Sequence, residues 1–178
     1  GIMSMAEGSL LVVSNNLRIG AYGYGEITAT NSSINVGGVQ YVGISNGSCG
    51  RLELNCSTNI INYSAYGGTA LWVGGGTGKY ASLKLQNNSL LRYAEGTVAM
   101  IGATGGHANI SIESGSMLRG GWMNIGATKG HADFVLSHGT LHISDKLDMG
   151  LSSNVNSSMV LADGSLLLQE DGGDTPDH

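Results

Sequence analysis

The sequence predicts an all-β fold, a right-handed parallel β-helix with three strands per coil and about six to seven coils. Three observations predict it: a glycine-rich, weakly charged composition, an apolar–glycine pair that recurs along the chain, and a near-constant step between two apolar segments within each repeat. Of the 178 residues, 30 are Gly, one is Pro (Pro176), and only 12% are charged. Long helices favour Ala, Glu, Lys and Leu and exclude Gly, so a helical protein does not fit. Collagen does not fit either, because Gly has no three-residue period and proline is nearly absent. Hydrophobic residues make up 41% of the chain, which is enough apolar surface for a core rather than a disordered chain.

An apolar residue followed by Gly recurs at Ile19/Gly20, Val42/Gly43, Val73/Gly74, Ile101/Gly102, Ile125/Gly126 and Met149/Gly150, with the glycines 23, 31, 28, 24 and 24 residues apart. After each Gly comes a Gly-, Ser- and Asn-rich corner and then an alternating triplet that starts at Ile27, Leu52, Leu83, Ile110, Phe134 and Met159. A third apolar segment opens at Ile34, Ile60, Leu90, Met117, Leu141 and Leu166, after steps of 7, 8, 7, 7, 7 and 7 residues. The copies IGATGGHANISIESGSML and IGATKGHADFVLSHGTLH, 24 residues apart, are plainly related.

Period-two alternation in three short segments per repeat reads as three strands separated by corners. Hairpins would need tight two-residue turns, for which Asn46/Gly47 is the one candidate. Stacked coils explain the constant period, each strand pairing with its equivalent one coil away. The expected inward columns are Ile19/Val42/Val73/Ile101/Ile125/Met149 and Ile27/Leu52/Leu83/Ile110/Phe134/Met159. Residues 8–11 look like the last third of a preceding coil. Residues 1–170 are read as a single β-helix domain and 171–178 as a disordered acidic tail.

Cys49 and Cys56 are the only cysteines. They flank the strand at 51–54, and seven extended residues span roughly 23 Å. A disulfide needs Cα atoms within about 7 Å, so free thiols are expected.

A net charge of −5 comes from thirteen acids and eight bases spread thinly. Without a basic patch, nucleic acid is a poor partner, and no apolar run is long enough to span a membrane as a helix. The start, GIMSMAEG, lacks the basic and apolar regions of a signal peptide, so any export signal is expected outside this segment.

The repeat, roughly apolar-Gly-Ala-Thr-x-Gly-x-Ala-x-apolar-x-apolar-x-x-Gly-Ser/Thr-apolar, resembles the repeats of autotransporter passenger domains and related bacterial surface β-helix proteins. The resemblance runs from about Leu17 to Leu168. It implies export and display outside the cell, commonly as an adhesin or as a stalk carrying other domains.

Catalytic readings find little in the sequence. Pectin lyases and polygalacturonases, which share the fold, need clustered carboxylates on an outer face to hold Ca²⁺ or act as acid and base, plus a cation. Here Glu26, Glu53, Glu95, Glu113, Asp133, Asp145, Asp148 and Asp163 fall mostly one per coil, with Asp145 and Asp148 the closest pair. His107 and His131 occupy equivalent places in adjacent copies and should stack about 4.8 Å apart. Asn109 and Asp133 lie two residues further on, a set that could hold a metal but reads more simply as a copied repeat. GGGTGK at 74–79 has the wrong spacing for a phosphate loop, with Tyr80 where Ser or Thr is required. Outward Thr ladders and calcium-binding nonapeptides are absent, and sequons such as Asn31-Ser32-Ser33 follow from Asn/Ser-rich corners. No cofactor is implied.

The leading expectation is a non-catalytic extracellular or bacterial surface protein, an adhesin-like binding module or a structural stalk. Alternatives are a pectate-lyase-like polysaccharide-active enzyme or a carbohydrate-binding accessory domain, and a phage fibre segment. Alternation puts residues two and four before each repeat Gly on an outer face. These are Val39 and Tyr41, Ala70 and Trp72, Val98 and Met100, and Trp122 and Asn124, with Asn16, Arg18, Lys146 and Asp148 in the end coils. Tyr41, Trp72, Met100 and Trp122 are the candidate contact residues for a host or cell-surface protein, a glycan or a second copy of the chain. Ile61, Leu91, Leu118 and Leu167 are expected to face outward on the third strand. The second strand's outer row (Thr28, Glu53, Lys84, Ser111) reads as a solvated face.

Overall fold

The computed structural model describes residues 1–76, 80–127, 129–151 and 155–170. Among these the regular structure is all strand, arranged in three parallel sheets. Sheet A holds Ile2–Met5, Tyr24–Thr30, Cys49–Asn55, Tyr80–Gln86, His107–Glu113, His131–Ser137 and Ser157–Ala162. Sheet B holds Leu10–Val13, Ser33–Val36, Thr58–Ile61, Leu90–Tyr93, Met117–Gly120, Thr140–Ile143 and Leu166–Gln169. Sheet C holds Leu17–Ile19, Gln40–Val42, Thr69–Val73, Val98–Ile101, Trp122–Ile125 and Leu147–Met149. The chain visits A, B and C in turn, and each strand pairs with its equivalent one coil away, which makes a parallel β-helix of about six coils. Asn46 and Gly47 lie in a turn leading from a sheet C strand to a parallel sheet A strand, so they make no hairpin. The tail at 171–178 lies outside the described residues.

The glycine row forms as the spacing predicts. Gly43 N donates to Ile19 O, Gly74 N to Val42 O, Gly102 N to Val73 O, Gly126 N to Ile101 O and Gly150 N to Ile125 O, all at 2.8–2.9 Å. At Gly102 the backbone is left-handed (φ 60°), and an added Cβ would stand 2.3 Å from the His131 carbonyl oxygen. Only glycine fits there.

Both expected columns are continuous. Ile27, Leu52, Leu83, Ile110, Phe134 and Met159 are register partners in sheet A, and Ile19 through Met149 are partners in sheet C. The middle members are buried, whereas Met149 and the inward Leu161 in the last coil are 42% and 52% exposed. Residues 8–11 do belong to a preceding coil, and Ile2–Met5 supplies its sheet A strand.

Sheet B corrects the reading of the third segment. Leu11, Ile34, Asn59, Leu91, Leu118, Leu141 and Leu167 are register partners and form the inward column. Leu91 and Leu118, expected outside, are buried in the core, as is Ile61 one row further along, and Leu167 is half-buried against it. The outward residues are Ile60, Leu90, Met117 and Leu166, for which the half-buried or exposed classes fit. Pairs such as Leu90-Leu91 and Met117-Leu118 are apolar on both faces, so alternation cannot say which points in. The corner before the strand decides it. Ser32, Ser57, Ser89 and Ser116 are buried there, and Ser32 N donates to Ser57 Oγ, Ser57 N to Ser89 Oγ and Ser89 N to Ser116 Oγ, each at 3.1 Å.

One polar pair interrupts the aliphatic interior. Gln40 of sheet C and Asn59 of sheet B are fully buried, and Asn59 Nδ2 donates to Gln40 Oε1 at 2.7 Å. Gln40 Nε2 and Asn59 Oδ1 have no partner.

Candidate functional site

Sheet C brings three of the four candidate contact residues into one row. Arg18, Tyr41, Trp72, Met100, Asn124 and Asp148 are successive register partners on its outer face. Tyr41, Trp72 and Met100 are half-buried because each lies against its neighbours one coil away. The Arg18 guanidinium carbon stands 5.6 Å from the Tyr41 ring centroid, within cation–π range. Asn124 Nδ2 donates to Met100 Sδ at 3.4 Å, and at the far end Lys146 Nζ pairs with Asp148 Oδ2 at 2.9 Å. The row is aromatic at one end and amide and carboxylate at the other. An added Cβ at Gly75 would stand 3.3 Å from Trp72 Cε3, so this glycine leaves room for the indole.

The wider patch is narrower than alternation predicts. Val39, Ala70 and Val98 are buried at 9%, 0% and 6% exposure. Val39 precedes the strand, and in the next coil the register shifts so that Val98 pairs with Thr69 and Ala99 with Leu71. Ala70 is thereby the extra residue of a bulge, and bulging re-aims side chains.

Trp122 belongs to a different group. Its register partner is Val98 rather than Met100, and its indole meets Tyr66 edge-on, with ring centroids 5.7 Å apart. Tyr66 is 79% exposed on the long corner at 62–68, which is tied down by Gly67 N donating to Gly96 O at 2.7 Å. Beneath it, the buried Tyr93 hydroxyl donates to the Trp122 carbonyl at 2.9 Å, and burial pushes the Tyr93 phenol pKa up. Gly120 must lack a side chain, since a Cβ would overlap the Tyr93 ring. Asp145 Oδ2 accepts from Gly96 N at 3.2 Å in this corner. Asp145 and Asp148 therefore serve separate local contacts.

Sheet A has an outer face more organised than a solvated one. One column runs Glu26, Arg51, Ser82, Asn109, Asp133, Ser158, and the next runs Thr28, Glu53, Lys84, Ser111, Val135, Val160. Arg51 bridges Glu26 at 3.6 Å and Glu53 at 2.5 Å, and Gln86 Nε2 donates to Glu53 Oε1 at 2.9 Å. Lys84 Nζ lies 3.5 Å from Glu113 Oε2. Asp133 accepts from Ser158 Oγ at 2.6 Å and meets His131 Nε2 at 3.1 Å. Those two hydrogen bonds hold its carboxyl below the usual range. A groove of about 350 Å³ crosses four coils here, from Arg51 past Lys84 and Asn109 to Asp133. Along its margin the rings of Tyr80 and His107 lie 5.2 Å apart and those of His107 and His131 5.1 Å apart. The sequence carries the signal for this column, because Tyr24, Cys49, Tyr80, His107 and His131 each stand three residues before a triplet.

Cys49 and Cys56 are free, as their separation predicts. Among the described residues no group of three or more His, Cys, Asp or Glu is placed to hold a metal ion, and no helix is long and apolar enough to cross a membrane. Of the GGGTGK stretch, Gly74–Gly76 lies at the corner after the sheet C strand, while 77–79 lies outside the described residues. No family model, curated protein or solved structure matches the chain.

Proposed function

We propose that this chain is a non-catalytic binding module or stalk of an exported surface protein, resembling an autotransporter passenger, with the outer row of sheet C as its contact surface. The observation that carries this reading is the registered row Arg18–Tyr41–Trp72–Met100, flat rings and a thioether held on a rigid sheet. Large, preordered aromatic surfaces lose little entropy on binding and anchor protein partners or stack on sugars. The continuous core behind the row supplies that rigidity, since each coil is fixed by its neighbours. The non-catalytic part of the reading is supported by the acids of sheet A. Glu26, Glu53, Glu113 and Asp133 share a face, but each is engaged by Arg51, Lys84 or a Ser158/His131 pair rather than by another carboxyl.

The test is the double variant Tyr41→Ala/Trp72→Ala, compared with the parent by light scattering and by binding to host-surface glycans and proteins. Loss of assembly or of a binding signal, with the fold intact, is the expected result. If assembly and every binding signal of the parent persist in the variant, the row is not the contact surface.

A further inference from the structure

We propose that the outer face of sheet A is a second binding site, for a neutral linear oligosaccharide lying along the solenoid axis. Tyr80, His107 and His131 would stack on sugar faces, while Ser82, Asn109 and Asp133 would hydrogen-bond its hydroxyls. This site lies on a different sheet from the Tyr41–Trp72 row and stands or falls independently of it.

Shape comes first. The groove and the ring column both run along the axis, the groove over four coils and the rings over three. Successive coils repeat about every 4.8 Å, so side chains of one column meet a ligand at regular steps. An extended chain of similar units can use all of them, whereas a compact molecule would meet one or two. At about 350 Å³ the groove is at the lower end of the usual range for a ligand cleft.

Chemistry narrows the class. The rings are accessible: Tyr80 is 61% exposed, and His131 keeps a third of its side chain in solvent. Ring faces suit the C–H faces of sugars. Beside them, the Asp133 carboxylate stays charged and keeps lone pairs for a hydroxyl donor. The exposed Asn109 amide adds both a donor and an acceptor one coil away. Ser82 stands one coil further on in the same column.

Summed over the whole outer face, beyond the Arg51, Lys84 and Asp133 that line the groove itself, charge disfavours polyanions. The face carries four carboxylates, Glu26, Glu53, Glu113 and Asp133, against two cations, Arg51 and Lys84. Both cations are already paired with carboxylates. A nucleic acid or a polyuronate would meet net like charge, while a neutral glycan meets none. An extended peptide adds to a sheet through an open edge, and this face offers no edge.

The experiment titrates the full chain calorimetrically with cellohexaose, maltohexaose and N-acetylchitohexaose, and with an oligogalacturonate as the acidic comparison. At least one neutral hexasaccharide is expected to bind and the oligogalacturonate to bind more weakly or not at all. Tyr80→Ala/His107→Ala should weaken that binding about tenfold, as loss of stacking implies. Asn109→Ala should weaken it several-fold, and Tyr41→Ala/Trp72→Ala should leave it unchanged. Thermal melts of each variant identify a folded protein, and Tyr80→Phe, which keeps the ring, should retain the affinity. The proposal is overturned if no neutral hexasaccharide binds, if the acidic one binds best, or if the ring-deleted variant binds like the parent.

Discussion

Sheets A and C share one kind of interior and have opposite exteriors. Inside, both present unbroken apolar columns, Ile27 to Met159 and Ile19 to Met149. Outside, sheet C carries the half-buried Tyr41–Trp72–Met100 row, and sheet A carries ion pairs, amides and a margin of rings. Alternation makes this separation possible, because each strand assigns every second residue to the core and frees the rest. The inner residues decide that the coils stack, and the outer ones decide what the stack can touch.

Substitutions on the two sides should therefore differ in kind as well as size. The largest effect is expected at Phe134→Ala, which removes one of the largest fully buried side chains from the sheet A column. Stability measured by chemical denaturation should fall by about 3–5 kcal/mol. Gly102→Ala should come close to it, at about 3 kcal/mol, because a left-handed residue and a blocked carbonyl approach are combined there. A loss below about 1 kcal/mol at either position would mean that the coil interior tolerates rearrangement.

The buried amides sharpen the same contrast. Asn59→Leu alone leaves Gln40 Oε1 without its donor and should cost about 1–3 kcal/mol. Adding Gln40→Leu should recover most of that loss, since two apolar groups remove the unmet hydrogen-bonding need. If the double variant is less stable than the single one, the pair contributes more than its hydrogen bond.

Exterior changes on sheet A should be small. Arg51→Ala breaks two bridges, but its side chain is 47% exposed, so about 1 kcal/mol or less is expected. Asp133 is held below its ordinary pKa, so its contribution is present above the usual carboxylate value near ~3.9 and lost as the pH falls through the lower folded value. With 48% of that side chain exposed, the Asp133→Asn variant should be only slightly less stable than the parent in melts above that window, and the difference should vanish in melts below it.

Much of this was legible in the sequence, and the parts that were not have identifiable causes. The Gly20-to-Gly150 row and two inward columns followed from spacing and alternation, because sheets A and C alternate cleanly around their triplets and glycines. Sheet B did not, because Leu90-Leu91 and Met117-Leu118 are apolar on both faces. Its register is set by the buried serines of the preceding corner, which read in sequence as ordinary polar residues. Val39, Ala70 and Val98 were misassigned because a bulge and a corner break the alternation at that depth. Trp122 has the right face but the wrong partner, since Tyr66 reaches it from a long corner whose path no periodicity records. The ring column on sheet A was available from its fixed offset before each triplet, yet its side-chain contacts emerge only when the coils are stacked.

The separation of inside from outside is tested most directly by melting and binding measured together on Tyr41→Ala/Trp72→Ala. We expect a melting temperature within about 5 °C of the parent, as exterior truncations in a chain of this size allow, together with loss of the contact made by the sheet C row. A protein that unfolds far below the parent, or one that melts alike and still makes every contact, would contradict the assignment of fold to the columns and of binding to this face.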